Sequence, residues 1–165
     1  MDINNTYKIP LRGVKAGKYS FEFKLDDAFF QSIEKSGIEY GEVYVEAEIE
    51  RHNNMMIINF HLEGEVEVEC DRCLDLFYIP VEADNILSVR FSSIMGENQE
   101  YLANEDCEED VLFVDPNDDS MDVSHYLYES VYLSLPIQRV HPEDEDGSSL
   151  CNPEVIRHLK QHEIK

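Results

Sequence analysis

The sequence predicts an α+β fold, a mostly antiparallel β-sheet with two or three packed helices, in a single domain spanning residues 1–165, and three observations predict it. Apolar and polar residues alternate through several stretches between Tyr19 and Phe91, which is the period of half-buried strands. Three other stretches carry the caps, stops or three-to-four spacing of helices. A chain of 165 residues that is 42% hydrophobic, with 9 Tyr and 8 Phe, is long enough and apolar enough to bury one core.

The first strand is "YSFEFKL", where Tyr19, Phe21, Phe23 and Leu25 share a face. In "DDAFFQSIEKSG", Asp26 or Asp27 suits an N-cap, Phe29 and Ile33 lie four apart, and Gly37 marks the stop of a short helix. From Glu42 the period returns to two, with Val43, Val45, Ala47 and Ile49 on one face, and the polar "RHNN" at 51–54 predicts a hairpin. The returning strand places Met56, Ile58, Phe60, Leu62, Val66 and Val68 at even positions. Cys70 continues that register and should point with the core face. Beyond the "CDRCLD" turn, Phe77, Ile79, Val81 and Ala83 alternate again, and Leu87, Val89 and Phe91 extend the pattern.

Residues 92–122 form an acidic, loop-rich region around one short apolar run, "VLFV" at 111–114, which predicts a strand between mobile loops. Next, Val123, Leu127, Val131 and Leu135 recur every four residues, with Asp122 as a cap and Pro136 as the stop, so a helix packs on the sheet. The last helix is predicted in "NPEVIRHLKQH", with Asn152 as cap, Pro153 in the first turn, Glu154 at the positive end of the dipole and His158, Lys160 and His162 toward the negative end.

Charge restricts the function classes. With 36 Asp and Glu against 13 Lys and Arg, the formal charge is −23, and such a surface repels extended phosphate backbones and anionic membranes. Direct nucleic-acid binding should be weak or indirect, and a complementary protein partner would be basic. Lys8, Arg12, Lys15, Lys18 and Lys24 cluster toward the N-terminus, so any contact with RNA is expected there. The opening "MDINNTYKIP" has neither the basic nor the apolar region of a secretory leader, and no apolar run is long enough to cross a bilayer, so the expected location is cytoplasmic.

In that compartment four cysteines do not suggest a disulfide framework, which leaves metal binding, redox chemistry or packing. Cys70 and Cys73 have the C-x-x-C spacing that presents two thiolates to one tetrahedral Zn²⁺ from a turn between strands. His141 and Cys151 are the candidate distal ligands, provided "HPEDEDGSSLC" folds back on the turn; Cys107, His158 and His162 are weaker ones. The packing alternative makes Cys70 a small core residue and Cys73 the closure of a turn. A thiol redox or metal-handling protein using the Cys70/Cys73 pair is the alternative function. Against the redox form, the flanking Glu69, Asp71 and Asp75 should raise both thiol pKa values, and a strand rather than a helix follows the pair. There is no Gly-rich phosphate loop, G-x-S-x-G or H-E-x-x-H, so no catalytic residue is assigned and the chain is not expected to be an enzyme.

"CDRCL" at 70–74, then "LSLPIQRVHPEDEDG" and a final Cys151, resembles the YceD family of large ribosomal RNA (23S rRNA) accumulation proteins. The similarity in layout runs from the N-terminal strands to the LP-x₄-H segment at 135–141. Relatives look to carry further cysteines where this chain has Pro142 to Leu150, and His141 standing for one of them is a chemically sensible change of ligand. The resemblance implies a bacterial, cytoplasmic, noncatalytic ribosome-biogenesis factor that supports accumulation or processing of large-subunit ribosomal RNA. Together with the charge, it points to a basic protein partner, a ribosomal protein or an RNA-processing factor.

Overall fold

The computed structural model describes residues 7–91 and 110–162. In chain order the elements are β1 (Lys8–Pro10), β2 (Gly17–Leu25), α1 (Asp27–Ser32), β3 (Gly41–Arg51), β4 (Met55–Glu69), β5 (Leu76–Phe91), β6 (Asp110–Val114), β7 (Ser120–Asp122), α2 (Ser124–Ser134) and α3 (Pro153–His162). Strands β2 to β6 form one sheet in sequence order, antiparallel except for the parallel pair β5 and β6, while β1 and β7 form a separate antiparallel ribbon. This is the mostly antiparallel α+β fold expected from the sequence.

The alternation that predicts the sheet also orients it. Val43, Val45, Ala47 and Ile49 of β3 are buried, as are Met56, Ile58, Phe60, Leu62, Val66 and Val68 of β4. Helix α1 adds Phe29 and Phe30 to that core, α2 adds Leu127 and Val131, and the small ribbon adds Ile9 and Met121. Burial of so many aliphatic side chains, each contributing about 1.5–3 kcal/mol, is what fixes the register. The hairpin forms where expected, with His52 N–H donating to Met55 O at 2.8 Å across its turn.

Pro80 tests the length of β5. It can neither donate to a ladder nor sit between two partners, and β6 pairs only with Leu87–Phe91. Where Pro80 faces Glu65 of β4, β5 is therefore a sheet edge, and a 16-residue strand accommodates it.

Two helix boundaries differ from the sequence expectation. Helix α1 ends at Ser32 rather than running toward Gly37, with Ile33 already extended and Lys35 in the left-handed region at φ 59. The Asp26 carboxylate caps it by accepting from Phe29 N at 3.0 Å. Val123, not Asp122, is the N-cap residue of α2, because Asp122 is the last residue of β7; its carboxylate still accepts from Ser124 N at 2.9 Å. Most of the acidic region at 92–122, including Cys107, lies outside the described residues, and its remainder supplies β6 and β7. Among the described residues no helix is long and apolar enough to cross a membrane.

The face of the sheet turned away from this core is acidic. Glu22 faces Glu46 across β2 and β3, Glu42 faces Glu65 across β3 and β4, and Glu63 faces Glu82 across β4 and β5. Like charges directly opposite each other destabilise a sheet. Partial relief comes from Lys24, which reaches Glu42 at 3.1 Å, and from His61, whose Nδ1 lies 2.7 Å from Asp84. Hydrogen bonding to Asp84 raises the His61 pKa above its ordinary value.

Candidate metal centre

The end of β4 and the start of β5 are joined by a tight knuckle. Cys70 N–H donates to Asp75 O and Leu74 N–H donates to Cys70 O, both at 2.9 Å, and Leu74 takes a left-handed φ of 64. This closure turns Cys70 and Cys73 to the same side, and both are buried. The expectation that Cys70 continues the core register holds, but it leaves the main core to join a second cluster formed by Cys73 and Cys151.

The distal side chains arrive on the chain beyond α2. Leu135 takes an extended conformation before Pro136, and the segment then crosses the knuckle, where two hydrogen bonds of 2.7 Å clamp it. Asp71 N–H donates to Arg139 O, and the Asp71 carboxylate accepts from Arg139 N. Two residues on, His141 stacks against Phe77 with ring centroids 4.4 Å apart. The acidic "EDEDGSS" stretch closes into a small hairpin: Asp144 N–H donates to Ser148 O at 2.8 Å, Glu143 bridges Ser149, and Gly147 supplies the positive φ of 78 that the turn requires. That hairpin returns Cys151 to the knuckle just before Asn152, whose side chain accepts from Glu154 N at 3.0 Å and starts α3.

The result is one group in which the ligand atoms of Cys70, Cys73, His141 and Cys151 all lie within 4.8 Å of one another. Two separations define its shape: Cys70 Sγ to Cys151 Sγ is 3.7 Å, and Cys73 Sγ to His141 Nδ1 is 3.4 Å. A disulfide would need about 2.05 Å. A tetrahedral ion with bonds of about 2.3 Å to sulfur and about 2.05 Å to nitrogen sets its ligands about 3.8 Å apart for a sulfur pair and about 3.5 Å for sulfur and nitrogen. The donor set therefore fits a metal ion. His158 and His162, on the exposed face of α3, are not part of the group.

A family model described as "Large ribosomal RNA subunit accumulation protein YceD" matches residues 58–161, more than half of the chain. The chain belongs to the YceD family. The match begins within β4 and ends within α3, so the YceD region contains the knuckle, the clamp and all four members of the group. No curated protein and no solved structure matches the chain.

The electrostatics of this YceD site depart from the sequence expectation of two raised thiol pKa values. At Cys70, burial works upward, but the backbone amides of Cys73, Arg72 and His141, with the His141 ring, outweigh it and bring the thiol to about 6. At Cys73 burial dominates and the shift is upward. No neighbouring carboxylate is among the main causes of either shift. The amides of a tight knuckle, which flanking residue types do not reveal, control the Cys70 thiol. Sequence reasoning also missed Asp71, whose two contacts with Arg139 hold the distal ligands in place; it reads in sequence only as one more acid beside the thiols.

Proposed function

We propose that this YceD-family chain is a noncatalytic, zinc-stabilised ribosome-biogenesis factor that supports large-subunit ribosomal RNA accumulation or processing through a basic protein partner. The observation that carries the reading is the Cys70–Cys151 separation of 3.7 Å inside a group of three thiols and one imidazole. Three cysteines and one histidine are a common structural zinc set, with soft donors and no open position for a substrate. Bound there, zinc supplies cross-linking rather than chemistry, joining the knuckle to the segment that carries α3. Burial of Cys70 and Cys73 weighs against the thiol redox alternative, since an attacking thiolate must be reached by its substrate.

The role in ribosomal RNA accumulation comes from the family description. The basic partner is supported by the acidic sheet face, where the opposed glutamates Glu46 and Glu22, Glu65 and Glu42, and Glu82 and Glu63 carry a stability cost that a cationic surface would offset. Capture from a bacterial lysate after nuclease treatment is expected to enrich ribosomal proteins or RNA-processing factors. Combining Glu46→Gln, Glu63→Gln and Glu82→Gln should slow association more than dissociation, because diffuse charge acts on encounter. Capture that vanishes with nuclease, or that the triple substitution leaves unchanged, contradicts the basic-partner reading.

A further inference from the structure

One surface runs against the charge of the whole molecule. Beside the metal centre, the knuckle, the small hairpin and α3 enclose an open groove of about 790 Å³. Among the described residues, Arg72, Arg157 and Lys160 line it, with Glu143 as the one carboxylate. Three cations to one acid is the reverse of the 13 to 36 balance of the chain. Among the described residues none of the three cations forms an ion pair. The Arg72 guanidinium donates to Ser149 Oγ at 3.4 Å, which sets it over the hairpin.

Two carboxylates of the knuckle and hairpin are held by backbone amides. The Asp144 side chain accepts from the amides of Asp146 and Ser148, and that of Asp71 accepts from Arg139 N. Cys151 forms part of the buried wall, where zinc would neutralise two of the three thiolate charges. Three of the N-terminal cations have acidic neighbours. Arg12 is paired with Asp119 at 3.1 Å and Lys24 with Glu42 at 3.1 Å, while Lys18 shares a hollow with Glu48 and Glu50.

We infer that this groove binds the phosphate backbone of single-stranded RNA. The chemistry of the lining fits an amphipathic strand: Arg72, Arg157 and Lys160 offer charged donors to successive phosphates, and Ser148 and Ser149 offer hydroxyls. On the same groove Pro153, Ile156 and Leu159 offer apolar surface to ribose and base faces. The surrounding −23 charge restricts the contact to a few phosphates, so the site holds a short stretch of strand and not a duplex. The inference goes beyond the basic-partner reading and does not depend on it.

The test uses the full chain, zinc-loaded, and a fluorescein-labelled single-stranded 12-mer of uridylate in an anisotropy titration at low salt. The plot of log affinity against log salt should have a slope of about −2, the value for three phosphate contacts on a single strand. Arg157→Glu with Lys160→Glu should weaken binding at least tenfold, and Arg72→Gln severalfold. These three side chains are exposed, so circular dichroism should be unchanged. Lys15→Glu with Lys18→Glu should weaken binding less than twofold. Four results would overturn the assignment: no binding at low salt, equal loss in the N-terminal variant, displacement of the RNA by millimolar inorganic phosphate, which marks a small-anion site, or displacement by polyglutamate, which marks an acidic-polypeptide site.

Discussion

Gly64→Ala is expected to lower the stability of the chain by about 3–5 kcal/mol, the upper end of what one added methyl group costs. Gly64 lies in the middle of β4 opposite Val43, and a Cβ built there meets Glu42 O at 2.1 Å and Val43 Cα at 2.7 Å. Both obstacles are backbone, so no side-chain rotation relieves them; β3 and β4 must separate at their closest approach. Gly13 provides the comparison. A Cβ there meets nothing within 4 Å, and only its φ of 76 opposes alanine, which costs about 1–2 kcal/mol. Urea denaturation of the two variants should therefore differ by a clear margin, and equal midpoints would show that the β3–β4 spacing is not as described.

Loss of the metal site should have a different signature, local rather than global. Helix α3 has no buried residue, and Val155 and Ile156 pack against the cysteine cluster, so among the described residues that cluster is the helix's main anchor. A 10-residue helix is marginal in water by itself. Chelation, or Cys73→Ala, is thus expected to abolish hydrogen-exchange protection from Val140 through His162 and to remove about one helix's worth of circular dichroism, while β3 and β4 keep their protection. His141→Ala should weaken metal binding with the same regional pattern. Protection of α3 that survives chelation would mean that the cluster is held by packing.

The sheet was legible in the sequence because its evidence is periodic. Ten even and odd positions of β3 and β4, from Val43 to Val68, carry the period of two that burial on one face demands, and the same alternation carries Cys70 to the buried side. The grouping of Cys70, Cys73, His141 and Cys151 was legible for a chemical reason, since C-x-x-C fixes two donor atoms and few other residues could complete four. Elements whose partners are distant were not legible. The β1–β7 ribbon joins Ile9 to Met121, and a three-residue strand has too little period to register. Helix α1 ends where Ile33 turns extended, and the left-handed residue of the turn beyond it is Lys35, which a search for glycine overlooks. The cationic groove assembles Arg72 with Arg157 and Lys160 from opposite ends of the YceD region, so linear charge counting does not reveal it.

The metal centre is the claim on which the arrangement of the C-terminal half depends, and zinc K-edge absorption on protein purified without a metal-affinity tag tests it most directly. The account predicts one zinc per chain, with three sulfur atoms at about 2.3 Å and one nitrogen at about 2.0–2.1 Å in the first shell. Protein that is folded and metal-free, or zinc surrounded by oxygen and nitrogen alone, would contradict it.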